Sequence, residues 1–468
     1  MAEYSKALSS APTPIPGLTV WELPVHGDNR GWFKENWQRD VMTEAGLPDF
    51  GPVQQNISYN EPAGTTRGLH AEPWDKWVSV ATGSVFGVWV DLRDGPTYGT
   101  IHTELIDPTR AVFVPRGVAN GFQTLEDATA YTYLVNDHWS PDAEYPLVNL
   151  ADPTLAIDWP IPLDRATISE KDLNHPPLAA ATPVTPPRVL VIGARGQLGR
   201  ALRSLWGDRQ HIEYVDSDEL DLTTVDERSR PWSNYAAIVN AAGYTQVDAA
   251  QGPEGRQHAW AANAVGPARL ANVARTHRLT LVHVSTDYVF DGETERAYRE
   301  DDALSPLSVY GQSKAAGDLA AAGAPRHYIV RTSWLVGDGS NFVSTMATLA
   351  TDGKEPAVVN DQYGRPTFAS DLARAIDHLL SSGAPYGLYN VSNAGDEISW
   401  HGLARSVFET LGHDPSRVRE VSTADYYASA KTEPAPRPRR GTLALDKIIA
   451  TGFTPPAWPD RLRDHLGK

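Results

Sequence analysis

Short hydrophobic segments alternate with turn-forming residues over the first third of the chain, from about residue 18 to residue 160. The segment 78–91 predicts two strands joined at Thr82-Gly83-Ser84. The segments 111–115 and 130–135 predict two further strands, because they are rich in β-branched and aromatic residues. Helical periodicity is scarce in this region. The pattern therefore predicts an all-β domain, built as an antiparallel sandwich or barrel.

Beyond residue 188 the pattern changes to longer apolar runs separated by alanine-rich segments. The apolar runs that predict buried strands are 188–192, 236–240, 280–284 and 328–331. Between them, alanine-rich stretches such as 259–275 predict helices. Because buried strands and helices alternate, we expect a doubly wound α/β domain with a parallel sheet.

A proline-rich segment separates the two patterns. Between residues 175 and 188 the chain is rich in proline and alanine, a composition that favours extended structure and hinders regular hydrogen bonding. A length of 468 residues also exceeds what one hydrophobic core usually supports. We therefore predict one domain over residues 1–178, a semi-rigid linker over 179–187 and a second domain over 188–468.

The composition narrows the class of protein. With 41% hydrophobic and 21% charged residues the chain resembles an ordinary globular protein, and a net charge of −17 argues against nucleic acid or an anionic membrane as partner. The absence of cysteine excludes disulfides and thiolate chemistry. No apolar run reaches the roughly 18 residues of a transmembrane helix, and the first residues lack the pattern of a signal peptide. We expect a cytoplasmic enzyme.

Three glycines mark a candidate dinucleotide site in the second domain. Gly193, Gly196 and Gly199 follow a predicted strand and open a predicted helix, where glycine allows a pyrophosphate to approach backbone N–H groups. A glycine triplet alone is as often an ordinary turn as a dinucleotide site. Here the strand before it and the helix after it favour the dinucleotide site. Asp216 ends the next predicted strand, where an acidic residue contacts the adenosine ribose. A solvated turn carboxylate is the alternative, so the choice between NADH and NADPH stays open.

A tyrosine and a lysine four residues apart form the second candidate feature of this domain. Tyr310 and Lys314 lie on one face of a predicted helix. A lysine there lowers the pKa of the tyrosine and can hold the nicotinamide ribose, so the tyrosine can give a proton to a carbonyl that receives hydride. Thr286 ends a predicted strand and can donate a hydrogen bond to the same carbonyl oxygen. An isolated Tyr-x-x-x-Lys is usually structural, but the combination in this order indicates a carbonyl reductase.

Residues 188–468 resemble the dTDP-4-dehydrorhamnose reductase family. The matching motifs are Asn240-Ala241-Ala242-Gly243, Val284-Ser285-Thr286-Asp287-Tyr288, Arg331-Thr332-Ser333-Trp334 and Asp361-Gln362-Tyr363-Gly364-Arg365-Pro366-Thr367. The resemblance implies a Rossmann domain with a small substrate-binding subdomain, which uses NADPH or NADH to reduce the C4 ketone of a dTDP-4-keto-6-deoxy-L-hexose. It also implies cofactor contacts from Gln197, Leu198, Ala241 and Ala242, and places Trp334 in the sugar pocket. Arg440-Gly441 depart from the family, in which Asn-Ser is usual after Arg437-Pro438.

The first domain carries Arg67-Gly68-Leu69-His70. A lone histidine is more often structural than catalytic, and no His-x-His pair occurs nearby, so we expect no metal site. Together with other motifs this segment resembles dTDP-4-dehydrorhamnose 3,5-epimerase, a metal-free cupin with a jelly-roll fold, over roughly residues 15–178. Those other motifs are Arg30-Gly31-Trp32-Phe33-Lys34-Glu35, Gln54-Gln55-Asn56, Val90-Asp91-Leu92-Arg93, Asp152-Pro153-Thr154 and Ser169-Glu170-Lys171-Asp172.

The resemblance implies roles for particular residues. His70 is the base that removes the protons at C3 and C5, which flank the C4 ketone, and Asp172 orients it. Lys76 stabilises the enolate oxygen, and Tyr133 returns a proton from the opposite face. Tyr133 is placed by counting back from Ser140-Pro141, and Tyr131 is its rival. The implied substrate contacts are Arg30, Phe33, Glu35, Gln54, Asn56, Arg67 and Asn120, with Arg30 and Arg67 at the diphosphate.

One departure in this domain keeps alternatives open. The family's Pro-x-Gly-x-Ala-His-Gly-Phe appears here with Asn120 in place of histidine, which can form hydrogen bonds but cannot carry charge. The leading hypothesis is a bifunctional enzyme that epimerises a dTDP-4-keto sugar and then reduces it to dTDP-L-rhamnose. The alternatives are an inactive cupin that only binds or assembles, and an enzyme for a related deoxysugar. By family likeness we expect a homodimer formed through the cupin domain.

Overall fold

The computed structural model describes residues 7–138, 145–207, 209, 211–428 and 434–467. The chain divides into two compact units, Met1–Pro186 and Pro187–Lys468. In the part of the chain that is described, no helix is both long enough and apolar enough to span a membrane.

The first unit is a sandwich of two sheets, with strand orders β1-β2-β10-β7-β12-β5 and β13-β6-β11-β8-β9. Every pair in these sheets is antiparallel except β13 with β6. The strands are β1 (Ser9–Pro12), β2 (Thr19–Glu22), β3 (Val25–Asp28), β4 (Gly31–Lys34), β5 (Gln54–Asn60), β6 (Thr65–His70), β7 (Lys76–Thr82), β8 (Val85–Asp91), β9 (Ile101–Ile106), β10 (Arg110–Val114), β11 (Val118–Thr124), β12 (Thr129–Val135) and β13 (Thr167–Ile168). Two short helices accompany them, α1 (Arg39–Glu44) and α2 (Glu170–Leu173).

The core of this unit lies between the sheets. Val78 and Val112 from one sheet pack in the same cluster as Trp89 and Phe122 from the other. The central strands are buried on both faces, whereas β5 at the edge alternates half-buried and exposed residues. The all-β sandwich predicted from the alternating pattern is confirmed.

The second unit contains a six-stranded sheet with the order β15-β14-β16-β17-β18-β23, and all its pairs are parallel. The strands of this unit are β14 (Arg188–Ile192), β15 (Ile212–Val215), β16 (Tyr235–Asn240), β17 (Thr280–Thr286), β18 (His327–Thr332), β19 (Leu335–Val336), β20 (Ala357–Val359), β21 (Tyr363–Gly364), β22 (Thr367–Phe368), β23 (Gly387–Asn390), β24 (Ile398–Ser399) and β25 (Arg419–Val421). Its helices are α3 (Gln197–Trp206), α4 (Pro253–Trp260), α5 (Gly266–Thr276), α6 (Val309–Ala321), α7 (Phe342–Thr351), α8 (Ala369–Ser381), α9 (Trp400–Thr410), α10 (Thr423–Tyr427), α11 (Asp446–Ala450) and α12 (Trp458–His465).

Alternate residues of each parallel strand face opposite helix layers. Leu190 packs in a cluster with Leu270 of α5, whereas its neighbour Val191 packs in a second cluster with Leu202 of α3 and Leu372 of α8. Because the strands are buried on both faces, their sequences read as continuous apolar runs. A separate cluster joins α7, α9 and α12 to short strands and forms the smaller subdomain. The doubly wound architecture is confirmed.

The segment predicted as a semi-rigid linker, 179–187, makes hydrogen bonds to the first unit. Leu178–Ala180 forms a 3₁₀ turn, and the hydroxyl of Tyr98 donates hydrogen bonds to the carbonyls of Leu178 and Ala181. Further on, the N–H of Val184 donates to the carbonyl of Leu92 at 2.7 Å. The first half of the segment is therefore hydrogen-bonded to the first unit, because its backbone finds partners there despite the prolines.

Candidate active sites

A cavity of about 270 Å³ lies in the first unit and is lined by strands of both sheets. Polar and aromatic side chains dominate its wall. The lining residues are Ser58, Arg67, Gly68, His70, Glu72, Lys76, Asn120, Gly121, Phe122, Tyr131, Tyr133, Tyr145, Ser169 and Asp172.

His70 and Asp172 form a hydrogen-bonded pair at this cavity. His70 ends β6, and its Nε2 lies 3.2 Å from Oδ1 of Asp172. Asp172 sits in α2, which Ser169 caps by accepting a hydrogen bond from the Asp172 N–H. Burial raises the pKa of the Asp172 carboxyl, but the hydrogen bond with His70 and the nearby imidazoles outweigh burial and hold that pKa below its ordinary value. Asp172 is therefore an ionised partner for the His70 ring.

A buried cation lies in the same cavity. Lys76 begins β7, and its ammonium forms an ion pair with the carboxylate of Glu72; both side chains are buried. Its Nζ also lies 5.7 Å from the centre of the Tyr133 ring. Burial lowers the pKa of Lys76 to about 7. The arrangement offers a positive charge, shielded from water, to an anion formed in the cavity.

Asn120, the departure from the family pattern, lies opposite His70 in the register of β11 and β6. Its Oδ1 accepts a hydrogen bond of 3.1 Å from the hydroxyl of Tyr131. Tyr131 is buried and stacks on Phe122, with ring centres 4.0 Å apart. Tyr133 is only partly buried and stands beside Lys76. Tyr131 is therefore hydrogen-bonded to Asn120 in the cavity wall, and Tyr133 is the more accessible phenol. Ser140 and Pro141, from which the position of Tyr133 was counted, lie outside the described residues.

The predicted substrate contacts divide into two groups. Arg67 and Asn120 line the cavity. The other five are not among the residues that line it. Gln54 and Asn56 lie on β5, where the amide of Gln54 donates to Oδ1 of Asn56 at 2.8 Å, and the rest belong to or follow the exposed hairpin of β3 and β4, namely Arg30, Phe33 and Glu35. Their role in binding stays a prediction.

The cavity also contains residues that the sequence did not single out. Glu72 pairs with Lys76, and the ring of Tyr145 lies 6.0 Å from that of His70. Next to the cavity, His175 is buried with its Nε2 3.5 Å from Oδ1 of Asp172. The carboxylate of Asp172 and the imidazoles of His70 and His175 lie within 4.8 Å of one another, and a hydrogen bond joins Asp172 to His70. No local sequence pattern distinguishes these side chains from surface residues.

The second unit has a larger cavity, of about 1010 Å³, beside the carboxyl ends of its parallel strands. In open α/β sheets this edge is the usual place for ligands. Its lining includes these predicted residues: Gly193, Gly196, Gln197, Leu198, Asp216, Ala241, Ala242, Thr286, Tyr310, Lys314 and Trp334. The structure therefore brings nearly all the predicted residues of this domain to one cavity.

The glycine turn has the geometry that a pyrophosphate requires. Gly193 has a φ of +86°, and a Cβ on it would lie 2.8 Å from the backbone N of Ala242. Gly196 is the N-cap of α3. A Cβ on Gly199 would lie 2.2 Å from the carbonyl O of Gly193, so this residue lets the helix pack against the strand. The free N–H groups of the first turn of α3 and these missing side chains fit a dinucleotide.

Asp216 and Arg195 lie side by side at the end of β15. The backbone N–H of Arg195 donates to Oδ2 of Asp216 at 2.9 Å, and its exposed guanidinium reaches both Asp216 and Asp218. Burial raises the pKa of Asp216, but the hydrogen bonds from Arg195 outweigh burial and keep that pKa low. Asp216 would favour the free ribose hydroxyl of NADH, whereas Arg195 beside it would favour the 2′-phosphate of NADPH.

Tyr310, Lys314 and Thr286 meet where β17 ends and α6 begins. Tyr310 hydrogen-bonds to the Thr286 hydroxyl, and the Lys314 ammonium donates to the carbonyl of Val284 at 2.6 Å. The expected lowering of the tyrosine pKa by lysine is not found. Burial raises the pKa of Tyr310 to about 12, with the Thr286 hydrogen bond opposing it, and burial lowers the pKa of Lys314 to about 8. Tyr310 is a protonated phenol over the neutral range.

Two further residues of this cavity were not among the predicted residues. Asn263 lies in a π-helical turn between α4 and α5, and its amide donates to the Ser313 hydroxyl and to the Tyr244 carbonyl. Such turns occur often at functional sites. Asp287 is fully buried next to Thr286, and burial raises the pKa of its carboxyl to about 7. The one sequence signal for Asp287 was its place as the third residue of the Ser285-Thr286-Asp287 motif.

The predicted sugar pocket contains two stacked indoles. The rings of Trp334 and Trp400 lie 3.6 Å apart and nearly parallel, and Trp334 has a φ of +44°. A Cβ on Gly364 would lie 2.9 Å from the Trp334 ring, so glycine leaves room for it. Both indoles line the large cavity.

The Arg440-Gly441 departure has a structural explanation within this chain. Arg440 forms an ion pair with Glu397 and lies over the ring of Tyr363. A Cβ on Gly441 would lie only 2.1 Å from Oδ2 of Asp287, so the glycine accommodates that carboxylate.

Comparison with known proteins divides the chain in the same way. Residues 12–180 match the family described as dTDP-4-dehydrorhamnose 3,5-epimerase, and residues 187–468 match the RmlD substrate binding domain. A protein named RmlC homolog from Streptococcus pyogenes serotype M6 is 50% identical over 179 residues, which cover 37% of this chain and 90% of the relative. A dTDP-4-dehydrorhamnose reductase from Mycolicibacterium smegmatis is 37% identical over 285 residues, which cover 60% of this chain and 85% of the relative.

A solved structure resembles the second unit. The crystal structure of dTDP-4-dehydrorhamnose reductase from Bacillus anthracis str. Ames, in complex with NADP, matches with a TM-score of 0.53 and 32% sequence identity. The match covers 60% of this chain and 99% of that one.

Proposed function

The chain belongs to the dTDP-4-dehydrorhamnose 3,5-epimerase family through residues 12–180 and to the RmlD family through residues 187–468, and we propose that it catalyses two consecutive steps of dTDP-L-rhamnose synthesis. The first unit epimerises dTDP-4-dehydro-6-deoxy-D-glucose at C3 and C5. The second unit reduces the C4 ketone of the product with NADPH or NADH. The functional division we propose is 1–178 and 188–468, joined by 179–187.

In the first unit we propose His70 as the base that removes the C3 and C5 protons. Its pairing with the ionised Asp172 at 3.2 Å supports this role, because the carboxylate stabilises the imidazolium formed on proton transfer. Lys76 stabilises the negative charge on the enolate oxygen. Tyr133 lines the same cavity and returns a proton to the opposite face of the ring. Arg67 and Asn120, which line the cavity, bind the substrate in this proposal.

In the second unit we propose Tyr310 as the proton donor to the carbonyl oxygen and Thr286 as its hydrogen-bonding partner. A bound nicotinamide cofactor supplies the hydride. Gly193, Gly196 and Gly199 provide the cradle for its pyrophosphate, and Lys314 holds the ribose. The stacked Trp334 bounds the space for the sugar.

The observation that carries the proposal is that one chain brings His70, Asp172 and Lys76 to one cavity, and Thr286, Tyr310 and Lys314 to another. The test is one incubation with dTDP-4-dehydro-6-deoxy-D-glucose and NADPH in D₂O, with a parallel sample containing NADH, followed by NMR of the products. We expect dTDP-L-rhamnose with deuterium at C3 and C5. Label at C5 alone would show that the product is a different sugar, and absence of label at both carbons would identify the cupin as a binding module.

The cofactor preference depends on Asp216. Replacing Asp216 with asparagine is expected to raise the ratio of kcat/KM for NADPH to that for NADH by about tenfold, because one carboxylate no longer repels the 2′-phosphate. The measurement is steady-state reduction with each cofactor. Arg195→Ala is the matched variant and should change the ratio in the opposite direction. If the ratio of kcat/KM values in Asp216→Asn equals that of the parent, Asp216 does not contact the cofactor.

We also propose that the cupin unit forms a homodimer. The support is its exposed apolar surface: Ile57 and Tyr59 on the edge strand β5 are more than half exposed, as is Phe33 on the β3–β4 hairpin. A pairing surface there would also bring the hairpin to a second copy. Light scattering should give twice the mass of one chain for the parent and the mass of one chain for Ile57→Asp. Leu105→Asp, an exposed residue on β9, is the control that should stay dimeric. A monomeric parent would exclude the proposal.

A further inference from the structure

Three potential metal ligands meet beside the smaller cavity. One ring nitrogen from each of His70 and His175 and one carboxylate oxygen of Asp172 all lie within 4.8 Å of one another. In the described part of the chain, no other group of three or more His, Asp or Glu side chains brings its ligand atoms this close together. The proposed epimerisation uses His70 and Asp172 and leaves His175 without a role.

The spacing of these atoms is close to that of a tetrahedral zinc site. Nε2 of His70 lies 3.2 Å from Oδ1 of Asp172, and Nε2 of His175 lies 3.5 Å from the same oxygen. Two ligands that bind Zn²⁺ at its usual distances in tetrahedral geometry are roughly 3.3 Å apart. An ion bound between the three side chains would therefore need only small side-chain movements. Two imidazoles with one carboxylate are also a ligand set that zinc accepts.

His175 has a nitrogen available for such an ion. Its side chain is 3% exposed, yet neither of its ring nitrogens has a hydrogen-bond partner among the described residues. Buried polar atoms are nearly always paired, because an unpaired one costs free energy. A metal ion would give Nε2, which lies beside Asp172, the partner that it lacks.

An ion can reach this position from the cavity. The side chain of His70 is 27% exposed and lines the cavity together with Asp172. Three protein ligands leave the fourth tetrahedral position for water or a substrate oxygen. The ammonium of Lys76 lines the same cavity, but its charge is compensated by the ion pair with Glu72. The Asp172 carboxylate supplies a negative charge that favours a cation.

We propose that a divalent transition-metal ion of the Zn²⁺ class binds between His70, Asp172 and His175 and reversibly inhibits the epimerase. No metal takes part in the proposed epimerisation. The bound ion occupies the nitrogen lone pair with which His70 removes a proton, so the base is blocked while the ion stays bound. The binding rests on the geometry of the three side chains, whereas the inhibition rests on the proposed role of His70.

The first test is metal binding by the full chain. Co²⁺ is added to metal-free protein, because a tetrahedral Co²⁺ site absorbs visible light much more strongly than the hydrated ion, and Zn²⁺ is then used to displace it. We expect one site per chain, with half-saturation by Zn²⁺ below about 10 µM, weaker than a structural site with four protein ligands. Absence of the absorption band, or half-saturation only near roughly 1 mM, would overturn the proposal.

Two substitutions assign the site. His175→Phe keeps the ring volume and removes one ligand, whereas His175→Gln replaces the imidazole with an amide, a much poorer ligand for zinc. Both should weaken metal binding by more than about 100-fold, since loss of an outer partner of a ligand alone costs about 10-fold to 100-fold. His102→Phe is the matched control and should bind like the parent, since His102 lies beside a carboxylate, Glu104, but does not line the cavity. Parent-like binding by both His175 variants, with unchanged thermal unfolding, would also overturn the proposal.

Inhibition is measured separately, as deuterium incorporation from D₂O into dTDP-4-dehydro-6-deoxy-D-glucose at increasing Zn²⁺. We expect epimerisation by the parent to fall in step with metal occupancy and to return when a chelator is added. Both His175 variants should keep their metal-free rates, and reduction of pre-epimerised ketone should not respond to Zn²⁺. Metal binding with full epimerase activity would overturn the inhibition. If His70→Ala then also epimerises normally, the error lies in the assigned base and not in the metal site.

Discussion

Replacing Tyr310 with phenylalanine is expected to lower kcat for ketone reduction by about 10²-fold to 10⁴-fold, the usual contribution of a positioned proton donor. The phenol of Tyr310 has its pKa raised to about 12 by burial, so it carries its proton throughout the neutral range. Phenylalanine retains the ring and its contact with Tyr288, whose centre lies 5.6 Å away, and removes the hydroxyl with its transferable proton and its hydrogen bond to Thr286. The change should therefore affect kcat more than KM.

The chain provides its own control for this substitution. Epimerisation takes place in the other unit, so deuterium incorporation at C3 and C5 should continue at the rate of the parent. Tyr426→Phe, an exposed tyrosine of α10 outside the cavity, should leave reduction unchanged. If Tyr310→Phe reduces the ketone within about threefold of the parent, then Tyr310 is not the proton donor and another group in the cavity must fill that role.

Features that are local in sequence were the ones that the sequence predicted well. Gly193, Gly196 and Gly199 lie within seven residues, and their effect on the backbone follows from the missing Cβ atoms. Tyr310 and Lys314 share a face of α6 because helical spacing requires it. Apolar runs predicted four of the six strands of the parallel sheet, β14, β16, β17 and β18, for a similar reason, since a strand covered on both faces is mostly apolar.

Features that depend on long-range packing could not be read from the pattern. Lys314 donates to the carbonyl of Val284, thirty residues earlier, and burial instead of the lysine sets the pKa of Tyr310. The carboxylate of Glu72 reaches Lys76 across a turn between strands, where spacing by four has no periodic meaning. Asp172 meets His70 from 102 residues away, and only family resemblance pointed to this pairing.

His70→Ala is expected to slow epimerisation of dTDP-4-dehydro-6-deoxy-D-glucose by about 10²-fold to 10⁴-fold, and formation of reduced product from this ketone should fall with it. His70 carries the one imidazole among the described residues that line the smaller cavity, where the other ionisable groups are carboxylates, phenols, Arg67 and Lys76. Asp172 would then lose the hydrogen bond with His70, which is the main effect that lowers its pKa against burial. The measurement is deuterium incorporation from D₂O together with NMR of the product.

The second unit provides an internal control for this substitution. Pre-epimerised ketone should still be reduced by His70→Ala at the rate of the parent, which separates loss of a base from loss of fold. His102→Ala is the matched control in the same sandwich and should epimerise normally. Mixing His70→Ala with Tyr310→Phe should restore product, because each chain supplies the activity that the other lacks. Normal epimerisation by His70→Ala would mean that the proton is removed by another group, and the His70–Asp172 pair would then be a structural contact.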